Sequence, residues 1–203
     1  MKLLIPRKAV YRLSLYQRSL QRLKDNRIPT VSSAALAMAA GVKPTQLRKD
    51  LAYFGQFGTR GLGYDVEALS AKITTVLGTA KLQPVVLIGA GNLGSALMHY
   101  QGFAREGFEI IAAFDQEAAA LTSHRRPVYG MHKLRGFIKE KKIKMAILTI
   151  PGQAAQEVAK ELIAAGIQGI LNFSPIVLQV PKGIFVNNVD LAIELENLSY
   201  FIQ

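Results

Sequence analysis

The chain has 203 residues, and its 25 Lys and Arg against 14 Asp and Glu give a formal net charge of +11. A protein this basic is expected to meet an acidic partner, and nucleic acid is the first to consider. Half of the residues are hydrophobic, which excludes a disordered basic tail and is enough for one or two buried cores. The absence of cysteine excludes disulfide frameworks, thiolate zinc sites and thiol nucleophiles, and is compatible with a reducing cytoplasm.

No segment has the sequence features of a membrane span or of a secretory signal. The longest uncharged apolar stretches, such as residues 145–155, are shorter than the roughly 20 residues that cross a bilayer. Only three apolar residues stand between Lys2 and Pro6, too few for the apolar core of a signal peptide. We expect a cytoplasmic protein that does not contact a membrane.

The positive charge is concentrated in the first 80 residues. They carry 13 basic and 4 acidic residues, a net +9, whereas the rest of the chain carries 12 basic and 10 acidic residues, a net +2. The pattern changes at the same place, from helical periodicity and one Gly-rich loop to short β-branched runs that alternate with helical stretches. That alternation is typical of a parallel sheet with crossover helices. We predict a boundary near residues 77–84 and an N-terminal domain over 1–80 that meets a polyanion.

The first predicted helix is amphipathic. Leu13, Tyr16, Leu20 and Leu23 are spaced i, i+3, i+7 and i+10 and form one apolar stripe. The pattern ends at Asp25.

Two further helices are predicted to form a helix-turn-helix. The second helix begins at a serine cap, Ser32 or Ser33, and ends at Gly41, and the third opens with Pro44 and continues to about residue 54. Ala37, Gly41 and Leu47 have the helix-turn-helix spacing, in which a small residue lets the helices approach, a glycine makes the turn and an apolar residue pins the second helix.

The outer face of the third helix has the composition of a major-groove reader. Leu47, Leu51 and Phe54 share the face that we expect to be buried. Arginine and lysine on the other side can bind guanine or phosphate, and glutamine can bind adenine. The candidate DNA contacts are Lys43, Thr45, Gln46, Arg48, Lys49 and Tyr53.

The loop over residues 55–64 contains four glycines and is a candidate β-wing. Its Arg60 is predicted to enter an adjacent minor groove, where narrow A·T-rich DNA concentrates negative potential. A solvated basic helix followed by an ordinary glycine loop remains the alternative for this region.

A dinucleotide-binding pattern begins with the apolar run 85–88, which predicts a buried strand. A G-x-G-x-x-G sequence follows, in which the glycines serve the tight turn, the approach of a pyrophosphate and helix packing. Asp115 ends the next apolar run, 21 positions after Gly94, where a carboxylate binds the ribose hydroxyls and favours NAD(H) over NADP(H). The candidate cofactor contacts here are Gly89, Ala90, Gly91, Asn92, Leu93, Gly94, Ser95 and Asp115.

The remaining strands are predicted at 145–150, 169–173 and 184–187, with helices near 133–141 and 153–165. In a doubly wound sheet the ligand lies beyond the carboxyl ends of the strands, so two loops are expected on the nicotinamide side, unless they are ordinary turns. Their candidate residues are Thr149, Ile150, Pro151, Asn172, Phe173 and Ser174.

A final helix is predicted over 190–203, capped by Asp190. Its apolar stripe consists of Leu191, Leu195, Leu198 and Ile202. A helix that is apolar over so much of its circumference needs a large groove, and another subunit could supply it.

The chain lacks the parts of a dehydrogenase. Such an enzyme needs a substrate domain and a proton-transfer group beside the nicotinamide, but the dinucleotide domain uses nearly all residues after Pro84. His99, His124 and His132 are expected to be surface or packing residues, and no catalytic residue or metal site is predicted. A chain that binds a redox cofactor without catalysing a reaction, and that also has a DNA-binding domain, is expected to be a sensor.

A set of short segments in both halves of the chain forms a recognisable pattern: residues 47–51, 53–55, 58–64, 89–95, 166–173 and 188–191. On these segments the sequence resembles the Rex family of redox-sensing transcriptional repressors over essentially its whole length. One departure is Gln101, which stands where we would expect proline after Tyr100.

The resemblance implies a homodimer that binds palindromic double-stranded operator DNA and is released when NADH rises relative to NAD. It implies a winged-helix DNA-binding domain (1–80), a Rossmann NAD(H)-binding domain of doubly wound α/β type (81–188) and a domain-swapped C-terminal helix (189–203). It also suggests that Arg18, Tyr100 and Asp190 form a polar set that changes partners between redox states.

Two other classes of protein remain open. One is a CoA- or NAD-binding Rossmann module or enzyme subunit with an appended nucleic-acid-binding domain, although Asp115 argues against CoA. The other is an architectural DNA binder in which the Rossmann unit serves only dimerisation.

Overall fold

The computed structural model describes residues 5–58, 62–118 and 126–202, which form two compact units, Met1–Lys81 and Leu82–Gln203. None of the helices in these ranges combines the length and the apolar character that a membrane crossing needs.

The first unit is mainly helical, as the periodicity predicts. The strands β1 and β2 pair antiparallel, with Val31 opposite Tyr64. The sequence pattern did not single out the last helix, α4, which begins at the cap residue Asp65 and ends at Gly78. The elements are α1 (Arg7–Asp25), β1 (Thr30–Val31), α2 (Ser33–Ala39), α3 (Pro44–Ala52), β2 (Tyr64–Asp65) and α4 (Val66–Leu77).

The core of the first unit forms where the predicted apolar stripes meet. Leu13, Tyr16 and Leu20 of α1 are fully buried and belong to the same cluster as Leu47 and Leu51 of α3. Within the turn between α2 and α3, Gly41 has a φ of +67°, which favours glycine. Both the apolar stripe and the helix-turn-helix are therefore confirmed.

The second unit is a six-stranded parallel sheet with the strand order β5-β4-β3-β6-β7-β8. This order, reversing beside β3, is that of the doubly wound dinucleotide-binding fold, so the predicted fold class is confirmed. The strand β5 was not predicted. The elements are β3 (Gln83–Ile88), α5 (Asn92–His99), α6 (Gly102–Arg105), β4 (Phe108–Asp115), β5 (Val128–Gly130), α7 (Leu134–Lys141), β6 (Met145–Leu148), α8 (Gly152–Ala165), β7 (Gly169–Asn172), β8 (Phe185–Asn188) and α9 (Leu191–Phe201).

The helix α5, which follows the glycine loop, is short because the chain leaves the helical conformation at Tyr100. This residue adopts an extended conformation, with φ −71° and ψ 108°, between α5 and α6. Its ring turns back over Gly102, where an added Cβ would lie 2.3 Å from the ring, and meets the ring of Phe103 edge-on at 5.1 Å. The missing side chain at Gly102 makes room for that ring and so permits the break.

The C-terminal helix α9 forms as predicted, but none of its residues is buried within this chain. Leu195 is 66% exposed and Phe201 is 82% exposed. An apolar surface of this kind on a helix indicates a contact with another molecule.

Candidate functional site

The outward face of α3 presents a small polar residue and two cations to solvent. Thr45, Arg48 and Lys49 are exposed, while Leu47 and Leu51 are buried on the other side of the helix. Arg48 Nη1 donates a hydrogen bond to Ser33 Oγ at 3.0 Å, which ties the guanidinium to α2. Of the other predicted DNA contacts, Lys43 is exposed at the N-cap of α3 and Tyr53 is half-buried at its C-cap.

Gln46 is not as free as the sequence suggests. Its side chain is half-buried, and Nε2 donates a hydrogen bond of 2.8 Å to Oδ1 of Asp50, one turn further along α3. Because a carboxylate only accepts, this bond fixes which end of the amide faces Asp50. Any contact of Gln46 with a base must be made from this restrained position.

Asp50 is fully buried, and the sequence pattern does not indicate a role for it. Arg12 on α1 forms two hydrogen bonds with its carboxylate, Nε to Oδ2 at 2.5 Å and Nη2 to Oδ1 at 2.7 Å. The hydroxyl of Tyr16, also on α1, donates to Oδ2 at 2.7 Å. With the bond from Gln46, four hydrogen bonds reach one carboxylate that joins two helices.

This environment shifts the pKa of each charged or phenolic member. Burial by itself raises the pKa of Asp50, but the hydrogen bonds from Arg12, Tyr16 and Gln46 outweigh burial and the pKa is lowered. The hydrogen bond to Asp50 raises the pKa of Arg12, and burial together with the bond to Asp50 raises the pKa of Tyr16. Asp50 and Arg12 are therefore a charged pair at neutral pH, with Tyr16 protonated.

The predicted wing contact, Arg60, lies outside the described residues. Two glycines at the described ends of its loop adopt left-handed backbone conformations, Gly58 with φ +80° and Gly63 with φ +81°. A Cβ on Gly63 would lie 2.5 Å from the carbonyl oxygen of Val31, so only glycine fits beside β1.

The glycine loop between β3 and α5 has the conformation that its sequence predicts. Gly89 has a φ of +94°, and a Cβ on Gly94 would lie 1.9 Å from the carbonyl oxygen of Gly89. Gly91, at the N-cap of α5, has nothing within 4 Å of the position of an added Cβ. The loop thus leaves an open approach to the amino end of a helix, where a phosphate is favoured. Asn92 and Leu93 are exposed there, Ala90 is buried and Ser95 is half-buried.

Asp115 lies at the carboxyl end of β4, beside this loop. Its Oδ2 accepts a hydrogen bond of 2.7 Å from the backbone nitrogen of Ala90, and its Oδ1 accepts one of 2.9 Å from that of Glu117. Each carboxylate oxygen has a second lone pair, so the carboxylate can still accept from a ribose hydroxyl.

At the ends of β6 and β7, two side chains of the predicted nicotinamide side form hydrogen bonds within the protein. The Thr149 hydroxyl lies 2.7 Å from the carbonyl oxygen of Gly89 and 2.9 Å from that of Ile88, so it holds the glycine loop. Ser174 is buried, and its Oγ donates to the carbonyl oxygen of Ile150 at 2.7 Å. Both hydroxyls thus bond to backbone carbonyl groups near the strand ends.

Asn172 is likewise a structural side chain. It is fully buried, and its Nδ2 donates to the carbonyl oxygen of Ile176 at 2.9 Å and to Oδ1 of Asn188 at 3.0 Å. Its Oδ1 accepts from the backbone nitrogen of Ser174 at 3.0 Å. The predicted residues of these loops that remain at least partly exposed are Thr149, Ile150, Pro151 and Phe173.

The three predicted switch residues lie on different elements. Arg18 is exposed on α1, and Tyr100 is 59% exposed between α5 and α6. Asp190 is the N-cap of α9, and its Oδ1 accepts from the backbone nitrogens of Ala192 at 2.9 Å and Ile193 at 3.4 Å. The predicted cap is confirmed.

Two family models match the chain. Residues 4–52 match the model described as "Putative DNA-binding protein N-terminus", and residues 80–176 match the model of a CoA binding domain.

Curated relatives match nearly the whole chain. The redox-sensing transcriptional repressor Rex of Pelotomaculum thermopropionicum is 44% identical over 97% of this chain and 93% of its own length. Rex of Streptomyces coelicolor is 45% identical over 98% of this chain and 78% of its own length.

Solved structures agree with this match. The structure of RSP in complex with β-NAD⁺ and operator DNA has a TM-score of 0.91 and 38% identity, over 98% of this chain and 93% of that one. RSP in complex with β-NADH has a TM-score of 0.85 and 36% identity, over 98% and 94%. The chain therefore belongs to the Rex family of redox-sensing transcriptional repressors.

Proposed function

We propose that this protein is a transcriptional repressor that senses the ratio of NADH to NAD. It binds operator DNA when NADH is low and releases the DNA when NADH binds. The observation that carries the proposal is the presence, in one chain, of an exposed basic helix face in a helix-turn-helix and an open glycine loop in a doubly wound sheet. Relatives solved with operator DNA and with each form of the nucleotide support it.

The nucleotide is assigned to the glycine loop. Its pyrophosphate would lie against the amino end of α5 beside Gly91, with Asp115 at the adenosine ribose. Ile150, Pro151 and Phe173 would line the nicotinamide side, on a frame held by the buried side chains of Asn172 and Ser174.

DNA is assigned to α3 and the wing. Arg48 and Lys49 would reach base edges or phosphates in the major groove, supported by Lys43, Thr45 and Tyr53. Gln46 would contribute from its restrained position, and Arg60 would enter the neighbouring minor groove.

The operator is proposed to be palindromic because two subunits would bind it. The apolar face of α9 would pack on a second copy of the chain, and a twofold dimer of helix-turn-helix domains binds two half-sites.

A second candidate follows from the match to a CoA binding domain. Titrating the full-length protein with NADH, NAD and CoA separates the two. Tight binding of CoA with no binding of NADH would replace the redox proposal with a CoA-responsive one.

The decisive experiment measures operator binding across a series of NADH/NAD ratios at constant total nucleotide and constant salt. A redox sensor shows a fall in affinity as NADH increases. An affinity that does not change with the ratio would identify an architectural DNA binder instead.

A further inference from the structure

The helix with the exposed basic face is joined to α1 by a buried charge. Asp50 is on α3, but it is fully buried and faces the protein rather than solvent. Arg12 and Tyr16, which hold its carboxylate, are 38 and 34 residues away in sequence, on α1. The cluster is therefore a tertiary connection between two helices and not a local helix interaction.

Apolar packing already provides contact between these helices. Leu47 and Leu51 of α3 are buried in one cluster with Leu13 and Leu20 of α1. Such packing is not directional, so it holds the helices together without fixing the rotation of one against the other. A two-point Arg–carboxylate contact has a fixed planar geometry and does fix it.

The same carboxylate also reaches the DNA side of the helix. Its Oδ1 accepts from Gln46 Nε2 at 2.8 Å as well as from Arg12 Nη2 at 2.7 Å. Arg48 and Lys49 lie within the same two turns of α3, so a rotation of the helix moves all three side chains together.

We propose that Asp50 is the positioning residue of the DNA-reading helix. Its carboxylate sets the rotation of α3 on α1 and the orientation of the Gln46 amide, so that the exposed side chains meet the bases in register. Asp50 does not touch DNA itself. This inference rests on the proposed function, since it assigns a role in sequence discrimination within the same DNA-binding face.

The test replaces the polar cluster with apolar residues instead of breaking it. Removing one partner would leave an uncompensated buried charge, whereas replacing a whole buried ionic group with apolar residues of similar size is often neutral for stability. The main variant is therefore Arg12→Met/Tyr16→Phe/Asp50→Leu.

A matched control removes another ion pair of α1. Lys24 on α1 and Glu67 on α4 are 3.0 Å apart, and Lys24→Met/Glu67→Leu deletes one charge of each sign, as the main variant does.

The probes are a duplex selected from a random library by the wild-type protein with NAD present and a scrambled duplex of the same composition. The measured quantity is the ratio of the two affinities at one salt concentration. We expect the main variant to bind the scrambled duplex as the wild type does, because phosphate contacts need no precise register. Its ratio should fall about tenfold or more, the size expected for the loss of one base-pair contact. The control should keep the wild-type ratio.

If the folded main variant had the same ratio of affinities as the wild type, the proposal would be overturned. Asp50 would then contribute only to stability. If that variant does not fold, the ratio is measured on folded Asp50→Asn at low temperature, where the weaker hydrogen bonds should lower it in the same direction. An unchanged ratio would again overturn the proposal. The proposed function fails separately, if the wild type itself does not discriminate between the two duplexes.

Discussion

Asp115 is the residue on which the choice of cofactor should depend. A carboxylate at the adenosine ribose repels the 2′-phosphate of NADPH, so Asp115→Ala should narrow the preference for NADH over NADPH. The structure adds a second effect, because Ala90 N–H loses its acceptor and the glycine loop loses a support. Both nucleotides should therefore bind more weakly to Asp115→Ala than to the wild type.

Asp115→Asn separates the two effects, since the amide oxygen can still accept from Ala90 while the charge is removed. Asp115→Asn should lose the discrimination between NADH and NADPH but keep more of the affinity for both than Asp115→Ala does. Fluorescence titration with NADH and NADPH measures both quantities. Unchanged discrimination in both variants would show that another residue faces the ribose.

Asp50 should contribute to the pH dependence of stability. Its pKa is lowered in the folded protein from the ordinary value of 3.8, so its ionised form stabilises the fold above that value. This contribution is lost as the pH falls below 3.8 through the lower folded pKa. Urea unfolding between pH 2 and 7 should therefore show a shallower loss of stability in acid for Asp50→Asn, which should also be less stable at pH 7 by on the order of 3 kcal/mol. If the free energy of unfolding of the wild type and of Asp50→Asn changed in parallel with pH, Asp50 would not contribute to the acid dependence of stability.

Sequence spacing predicts the glycine loop residue by residue, because the roles of Gly89, Gly91 and Gly94 are local backbone requirements. It does not predict the role of Asp50. A helical wheel places Asp50 beside the buried face of α3, but its partner Arg12 is 38 residues away. The internal hydrogen bonds of Asn172 were not predicted for the same reason, since its bond to Asn188 depends on the pairing of β7 with β8.

Alanine substitutions on α3 should distinguish side chains that contact bases from side chains that contact phosphates. Arg48 and Lys49 are both exposed, on the face opposite Leu47 and Leu51. Alanine at a position that contacts a base edge should reduce the binding free energy for the selected duplex by about 1–3 kcal/mol and relax specificity at one base pair. Alanine at a phosphate contact should weaken binding to every duplex alike and reduce the salt dependence.

The measurement is binding of Arg48→Ala and Lys49→Ala to the selected and scrambled duplexes at several salt concentrations. Lys139→Ala is the control, because Lys139 is an exposed cation on α7 of the other unit. Wild-type binding by both α3 variants would remove this face from the DNA contact.

The helix α9 should be needed for assembly and not for the fold of the single chain. Leu195 and Leu198 are 66% and 61% exposed, so Leu195→Glu/Leu198→Glu should leave the helical content unchanged. If α9 packs on a second subunit, the two buried charges should dissociate the dimer, because an unpaired buried charge is costly. Sedimentation velocity checks this, with the exposed Glu196→Gln as control. A dimer that persists would place the interface elsewhere.

Element boundaries show what periodicity can and cannot predict. The stripe of α1 predicts that helix because its apolar spacing is regular over three turns. The break at Tyr100 is not visible in the spacing, since it depends on the ring packing over Gly102 and against Phe103. The apolar stripe of α9 predicts an interface, but its spacing does not identify the surface that would cover it.

At the scale of the whole molecule, redox sensing requires that the nucleotide favour one state over another. NADH shifts the balance between DNA-bound and released protein only by its differential affinity for the two. Thermodynamic linkage is reciprocal, so operator DNA must weaken the binding of NADH by the same factor by which NADH weakens the binding of operator DNA. NAD and NADH differ in the charge of the nicotinamide ring, which is positive in NAD and neutral in NADH.

Asp190 is our candidate for the group that reads this charge. Its carboxylate already caps α9, so a cap role and a sensing role must be separated. Asp190→Asn keeps an acceptor for the backbone nitrogen of Ala192 and removes the negative charge. A sensor with this change should still dimerise and bind the selected duplex, but NADH should no longer release the DNA. If Asp190 is only a cap, the NADH/NAD ratio at half-release should stay at the wild-type value. Asp65→Asn, which alters the cap of α4 in the same way, should keep that ratio in either case.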